Sequence, residues 1–421
     1  MEPQRCKGSR DLLSEDMARF RYIEEAFRSC CLGWGYKEIR TPTLEYLHLF
    51  TSTGTLTPSM LNKVYSFLDW DGWSGERVVL RPEGTIPAAR LYIGNLPQSC
   101  PAKLFYVENI FSFEETGKES RERWQCGAEL IGSSKPAADV ELMLLALETL
   151  EKLGIKGVEL YLSHAGLIKA LLEGLGLTPA EQSQIFDRIL DGDKEVVGKI
   201  IKAKPQLGDS LSLLFELRGK SSAFLKNLKA SLMTISPDLE PGIDDFIAIT
   251  QLLTTLGREY QIDITSGKGF EYYTGIIFQF YLSGRKIGGG GRYNDLIPLL
   301  GGGDIPASGF ALYADQLMDL ISLKEDKAQM VLVQSEIDTA KGAKLSFEAA
   351  RLLREAGYVA ELDQDYKGVT EHRWLLRIQD KKGEPPLLLT DQASGNSVGA
   401  NSATEILGIL KVTNASEASP S

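Results

Sequence analysis

The residues with the clearest chemistry lie directly after a predicted β-strand. The pentapeptide Arg81–Thr85 follows the apolar run Val78–Leu80, so the side chains of Glu83 and Thr85 can project into a pocket at the end of that strand. A carboxylate and a hydroxyl together accept the hydrogen bonds of an ammonium group. Taken alone, the pentapeptide is more typical of a turn with a surface carboxylate, so the prediction of a pocket depends on what lies beside it.

Two further polar side chains lie on a neighbouring predicted strand. Leu104–Val107 and Ala128–Ile131 have the composition of strands bounded by Pro and Gly. Gln125 and Glu129 differ by four positions, a multiple of the two-residue repeat of a strand, so they face the same side of one strand. A polar loop that joins the two strands would bring both side chains toward the pocket of Glu83.

A third segment supplies a cation, two phenols and a run of glycines. Lys268, Tyr272 and Tyr273 precede a predicted strand that begins at Gly275, and Gly288–Gly291 permits close packing of backbone near them. The glycine run by itself is weak evidence for a phosphate site, because it lacks the lysine and the Ser or Thr of a P-loop.

Amphipathic helices and short strands must position these residues. Phe20, Ile23, Phe27 and Cys30 recur at helical spacing, and a second helix is predicted to begin at Asp139. The chain from 1 to 323 is predicted to form one core, with a mainly helical insertion over about 166–256.

A charged linker, Lys324–Lys327, precedes a predicted C-terminal α/β unit over 328–411. This unit is predicted to begin with a strand at Met330–Val333, a helix at Ala340–Ala356 and a strand at Tyr358–Leu362. The Ser- and Ala-rich tail 412–421 is predicted to be disordered.

Composition narrows the class of protein. The net charge of −11 and the pI of about 5.1 argue against a broad nucleic-acid-binding surface. The five cysteines form no CxxC pair, and the three histidines lie far apart, so free thiols are expected and no metal site is predicted. The absence of a long apolar run or a signal-like N-terminus predicts a cytoplasmic protein without membrane contact.

Together these segments resemble histidyl-tRNA synthetase, a class II aminoacyl-tRNA synthetase, over essentially the whole chain. The resemblance implies an α+β fold, in which an antiparallel sheet is flanked by helices, with a helical insertion and a C-terminal domain similar to an anticodon-binding domain. It also implies a self-dimer through the motif 1 region at Gly35–Pro42 and a histidine pocket. The segments that carry the resemblance are Gly8–Leu13, Gly35–Pro42, Arg81–Thr85, Tyr106–Gly132, Glu271–Gly275 and Gly289–Leu296. The pocket residues that it implies are Glu83, Thr85, Gln125, Glu129, Tyr272 and Tyr273.

The chain departs from the synthetase pattern where that family holds ATP. The arginine that follows the phenylalanine of motif 2 is Ser112 here, and the arginine of motif 3 falls at Gln316. A small glycine of motif 3 falls at Tyr313, and the arginine that works on the carboxylate falls at Lys268. Losing one cation opposite a developing phosphate charge costs on the order of 100-fold in rate. We therefore predict no catalytic residues, and we treat Ser112, Tyr313 and Gln316 as degenerate ATP-site positions.

This pattern is similar to that of the regulatory subunits of ATP phosphoribosyltransferase. The resemblance implies that the chain assembles with a short-form catalytic subunit, as a hetero-octamer, and needs no cofactor of its own. That enzyme condenses ATP with phosphoribosyl pyrophosphate in the first step of histidine biosynthesis. The regulatory subunit would activate it and confer feedback by histidine, bound either in the inherited pocket, where Lys268 is a further candidate, or at the subunit boundary.

Two alternatives belong to other classes of function. A divergent histidyl-tRNA synthetase would need other residues to replace the lost arginines. A free-standing module that senses histidine or tRNA would use the pocket or the C-terminal unit alone. Because residues 328–421 are acidic overall and lack an obvious basic face, we do not expect this unit to bind RNA.

Overall fold

The chain divides into two compact units, Met1–Ser322 and Leu323–Ser421. The computed structural model describes residues 4–53, 61–69, 75–96, 101–113, 120–173, 178, 182, 195, 198–199, 202, 218–219, 222–233, 240–263, 272–323, 329–363 and 372–417.

A nine-stranded sheet forms the centre of the first unit, and a three-stranded sheet lies in the same unit. The strands of this unit are β1 (Lys37–Glu38), β2 (Leu44–Tyr46), β3 (Ser66–Leu68), β4 (Arg77–Leu80), β5 (Ala102–Phe111), β6 (Glu122–Ile131), β7 (Glu159–His164), β8 (Arg218–Gly219), β9 (Gln261–Asp263), β10 (Ile276–Leu282), β11 (Arg285–Arg292) and β12 (Ala307–Tyr313). The strand order of the large sheet is β1-β5-β6-β12-β11-β10-β7-β9-β8, and that of the small sheet is β2-β4-β3. Neighbouring strands are antiparallel except for the β1/β5 and β7/β9 pairs.

Helices cover this sheet, and the two that apolar spacing predicts in this unit are confirmed, although the second begins at Pro136, three residues before the predicted start at Asp139. The first helix buries Phe20, Ile23, Phe27 and Cys30, which are the residues whose spacing predicts it. The helices are α1 (Ser14–Gly33), α2 (Leu47–Thr51), α3 (Thr85–Asn95), α4 (Pro136–Lys152), α5 (Ala165–Glu173), α6 (Ser222–Leu232), α7 (Glu240–Thr255), α8 (Leu296–Leu299) and α9 (Ala314–Met318).

The part of the chain predicted to be a helical insertion is not purely helical. Within it, α5, α6 and α7 are helices, but Arg218–Gly219 forms β8 at the edge of the large sheet. Two residues are too few to show the alternation by which a strand is recognised in a sequence. In addition, α7 packs against α4, so this end of the segment is joined to the main core.

The second unit has its own five-stranded sheet and its own apolar core. The order β14-β13-β15-β16-β17 combines parallel pairs at β13 with antiparallel pairs beyond β15. The predicted strands at Met330 and Tyr358 and the helix between them are confirmed as elements, within two residues of the predicted bounds. The elements are β13 (Met330–Ser335), α10 (Ala340–Glu355), β14 (Val359–Leu362), β15 (Trp374–Ile378), β16 (Leu387–Asp391), β17 (Ser397–Ala400) and α11 (Ala403–Glu417).

The prediction of disorder from residue 412 onward is wrong for its first part. The last helix, α11, continues through Glu417, although Val412 is largely exposed. Ile406 and Leu410 are fully buried, so the helix is anchored one turn earlier and continues without needing further apolar residues. Residues 418–421 lie outside the described part of the chain.

No helix within the described ranges is both long and apolar enough to cross a membrane. The described cysteines, Cys6, Cys30, Cys31 and Cys126, are free thiols, and Cys100 lies outside the described residues.

A buried ion pair holds the pentapeptide Arg81–Thr85 against the large sheet. The guanidinium of Arg81 donates to Glu108 Oε2 at 2.7 Å and to the carbonyl oxygen of Asn109 at 2.7 Å. The backbone N–H of Thr41 donates to Glu108 Oε1 at 2.5 Å, and its hydroxyl donates to Oε2 at 2.8 Å. Three segments distant in sequence therefore meet at one charge pair, which sets the position of Glu83 two residues later.

We expect Arg81→Met to destabilise the first unit by about 3–5 kcal/mol, because it leaves the carboxylate of Glu108 buried without its counter-charge. Urea-induced unfolding, followed by fluorescence and circular dichroism, measures this change. Arg285→Met is the matched control, since Arg285 pairs with Asp319 in an exposed position. Equal unfolding midpoints for the two variants would show that the Arg81 pair does not stabilise the fold.

Candidate functional site

Glu83 lies two residues before α3, and its side chain is buried. Its carboxylate oxygens each accept a backbone N–H, from Thr85 at 2.7 Å and from Ile86 at 2.7 Å. A carboxylate in this position stabilises the first turn of a helix. Burial nevertheless raises the pKa of Glu83 to about 7, so its charge depends on pH near neutrality.

Glu129 is the centre of a hydroxyl network. Its Oε1 accepts hydrogen bonds from Thr85 Oγ1 at 2.9 Å and from the Tyr106 hydroxyl at 3.1 Å, and its Oε2 accepts one from the Tyr293 hydroxyl. Burial raises the pKa of Glu129 to about 8 in spite of these donors. The network joins α3, β5, β6 and the residue after β11.

Glycines make room for this network. A Cβ atom added at Gly309, the cross-strand neighbour of Glu129, would overlap the Glu129 carboxylate. A Cβ atom at Gly84 or Gly127 would overlap the ring of Tyr106. Only glycine allows the carboxylate and the phenol to lie this close to the backbone.

The predicted pocket residues converge on one cavity, which we call the first cavity. It is lined by Glu83, Thr85, Gln125, Tyr272 and Tyr273, and Glu129 lies behind Thr85. The remaining lining residues are Ile277, Phe278, Gln279, Lys286, Gly289, Gly290, Tyr293, Gly309, Phe310, Ala311 and Tyr313. Lys268 lies outside the described residues. A buried acceptor surface of this kind suits a ligand with an ammonium group or another N–H donor.

The three degenerate ATP-site positions also converge, on a second cavity beside the first. Ser112, Tyr313 and Gln316 all line it. Gln125 and Tyr313 line both cavities and are cross-strand neighbours, so this pair lies at the boundary between them. The other residues that line the second cavity are Lys63, Val64, Pro82, Ile110, Arg123, Trp124 and Asp315.

The second cavity is lined by charges of both signs, because Asp315 lies there together with Lys63 and Arg123. The carboxylate of Asp315 accepts hydrogen bonds from the Trp124 backbone N–H at 2.6 Å and from the Arg10 guanidinium at 2.8 Å. Gln316 Oε1 is buried and accepts no hydrogen bond from the described residues. Asp315 is therefore paired within the protein, and Gln316 puts an uncharged amide where the synthetase resemblance places an arginine, so this position supplies no cation for a phosphate.

Sequence reasoning omitted four residues that belong to this region. Tyr106 and Tyr293 donate to Glu129, while Gln279 and Lys286 line the first cavity. Tyr293 follows a run of glycines and Tyr106 lies in a strand with Glu108, but neither pattern reveals a shared carboxylate. Which tyrosines share the Glu129 carboxylate depends on how the strands pair.

The buried side chain of His164 lines neither cavity. Burial lowers the pKa of His164 to about 4, and its Nδ1 accepts the backbone N–H of Leu167 at 3.2 Å. It is therefore a neutral core side chain at physiological pH. The described residues contain no group of His, Cys, Asp and Glu side chains that could hold a metal ion.

Comparisons with known proteins agree on one family. The family model of histidyl-tRNA synthetase matches residues 8–317. The chain is 52% identical over 410 residues to an ATP phosphoribosyltransferase regulatory subunit of Dehalococcoides mccartyi, covering 96% of this chain and 98% of the relative. It is 36% identical over 414 residues to a histidine–tRNA ligase of Methanosarcina acetivorans, covering 94% of this chain and 95% of the relative.

A solved structure agrees with these relatives. A protein of Bacillus halodurans described as an ATP phosphoribosyltransferase regulatory subunit/histidyl-tRNA synthetase matches with a TM-score of 0.73 and 26% identity. The match covers 87% of this chain and 94% of that one. Since the Dehalococcoides relative aligns over 96% of this chain, a protein with that name includes a counterpart of most of the C-terminal unit.

The pKa values of the two carboxylates predict that stability falls as pH rises. Between the ordinary value of 4.5 and about 8, folded Glu129 keeps a proton that the unfolded chain has lost. The free energy of unfolding should therefore decrease by about 1.4 kcal/mol per pH unit across this interval, with Glu83 adding to the slope up to about pH 7. Urea-induced unfolding at several pH values between 5 and 8.5 measures the slope.

Glu129→Gln should reduce this slope, because an amide does not titrate. Glu159→Gln, at an exposed position on β7, is the matched control, and its pH profile should overlay that of the unsubstituted protein. A slope that Glu129→Gln leaves unchanged would assign the pH dependence to other groups.

Proposed function

The chain belongs to the ATP phosphoribosyltransferase regulatory subunits, within the histidyl-tRNA synthetase family, and we propose that it regulates a separate catalytic subunit without catalysing aminoacyl transfer itself. The partner is a short-form ATP phosphoribosyltransferase, which this chain activates and makes sensitive to histidine. The proposed complex catalyses the first step of histidine biosynthesis, in the cytoplasm.

The observation that carries this proposal is the contrast between the two neighbouring cavities. The first cavity keeps the acceptors Glu83, Thr85 and Gln125 around a buried carboxylate network. In the second cavity, Ser112 and Gln316 stand where the family resemblance places arginines. An adenylation site must neutralise developing phosphate charge, whereas an effector site needs only to bind, so the pair of cavities fits histidine recognition without ATP chemistry.

Histidine is the effector that this arrangement favours. The ammonium group and the imidazole N–H of histidine are hydrogen-bond donors, and Glu83, Thr85 and Gln125 in the first cavity can accept their hydrogen bonds. Feedback requires that histidine bind one state of the complex more tightly than the other, and the coupling is reciprocal. We further propose a self-dimer through the motif 1 region, Gly35–Pro42, and a hetero-octamer with the catalytic subunit.

The direct test mixes this protein with a purified short-form catalytic subunit and follows formation of phosphoribosyl-ATP. We expect the rate to rise on addition of this chain and to fall again as histidine is added. The same protein should show no histidine-dependent exchange between ATP and pyrophosphate. An unchanged rate, with no complex on a sizing column, would refute the proposal.

Within that assay, Gln125→Ala should weaken inhibition by histidine on the order of 10-fold, because it removes a buried hydrogen-bonding group from the first cavity. The half-inhibitory histidine concentration of the complex measures this change.

Gln316→Ala is the matched control, since Gln316 lines only the second cavity. It should leave the half-inhibitory concentration unchanged. A larger effect of Gln316→Ala than of Gln125→Ala would place the effector in the second cavity instead.

A further inference from the structure

Two small residues, Ala311 on β12 and Gly289 on β11, form a short track on the floor of the first cavity. They pair across the two strands, and both line the cavity. Gly289 also pairs with Gln279 on β10, which lines the cavity as well. Toward β6, the ring of Tyr106 fills the space beside Gly127, so the track ends at β12.

The two ends of the cavity carry opposite chemistry. At the β6 end, Glu83 lines the cavity and Glu129 lies behind Thr85. At the β10 and β11 end, Lys286 lines the cavity, and among the described lining residues it is the only one with a positive charge. A ligand with an ammonium group at one end and an anion at the other would match this polarity.

Gly289 lets the lysine reach the track. A Cβ atom at Gly289 would lie 3.3 Å from Lys286 Cε and 2.9 Å from the carbonyl oxygen of Phe278. The aliphatic stem of Lys286 therefore passes over the glycine, and a larger residue at that position would displace it. The ammonium group of Lys286 is positioned by this gap in the β11 surface.

We propose that Lys286 binds the carboxylate of the amino-acid effector and so selects ligands with a free α-carboxylate. This inference rests on the proposed function, in which the first cavity binds histidine. A carboxylate removed from water binds well only when it is paired and hydrogen-bonded. The resemblance to synthetases assigns that task to position 268, so the proposal transfers it to a different strand.

The test compares two ligands that differ only at the carboxylate, histidine and histidinamide, by calorimetric titration of the full-length protein. The unsubstituted protein should bind histidine more tightly by on the order of 10-fold, the value of one charge-assisted hydrogen bond. Lys286→Met should lower the affinity for histidine by about that factor and leave the affinity for histidinamide unchanged, so that the preference disappears. Lys286→Arg should keep most of the preference, because guanidinium also pairs with carboxylate.

Lys156→Met, at an exposed position, is the matched control and should keep the preference for histidine. If Lys286→Met keeps it and Lys268→Met loses it, the inference about Lys286 is overturned while the proposed function stands. If the unsubstituted protein binds neither ligand, both are overturned. Thermal unfolding of each variant separates loss of binding from loss of the fold. A Lys286→Arg protein that is folded but no longer prefers histidine to histidinamide would also contradict the inference.

Discussion

The structure of the site depends on keeping the carboxylate of Glu129 in the interior of the sheet. A buried carboxylate is tolerated only when its oxygens are hydrogen-bonded or protonated. Thr85, Tyr106 and Tyr293 supply hydroxyl donors from three different elements, and Gly309 supplies the space. This one requirement fixes how α3 meets the sheet and which residues beside it must be small.

The same strand pairing explains how the two cavities remain separate. Gln125 and Tyr313 are neighbours across β6 and β12, and both cavities meet at them. Residues of the second cavity can therefore change without altering the network around Glu129. This geometry is consistent with a family that retains an amino-acid pocket but has lost the arginines that would hold phosphates. Regulation requires only that the ligand bind one conformational state of the complex more tightly than another.

Local patterns predicted the elements well where those patterns are long. The apolar face of α1, with Phe20 and Phe27, follows from helical periodicity. Short apolar runs predicted four residues each of β5 and β6, which the structure extends to ten residues each. The two-residue strand β8 was missed because it forms by pairing at the edge of the sheet, which leaves no periodic signal in the sequence. The continuation of α11 to Glu417 was missed because the helix is anchored by the buried Leu410 and not by apolar residues after it.

The sequence alone identifies the family, the retained acceptors Glu83 and Gln125, and the missing arginines, because these are properties of residue types in order. Only the tertiary structure decides which side chains share a carboxylate and which cavity each residue lines. Tyr293 reaches Glu129 from far along the chain, and Lys286 reaches the cavity over a glycine. Such relations arise from strand register and burial, which bring together residues whose positions in the sequence are unrelated.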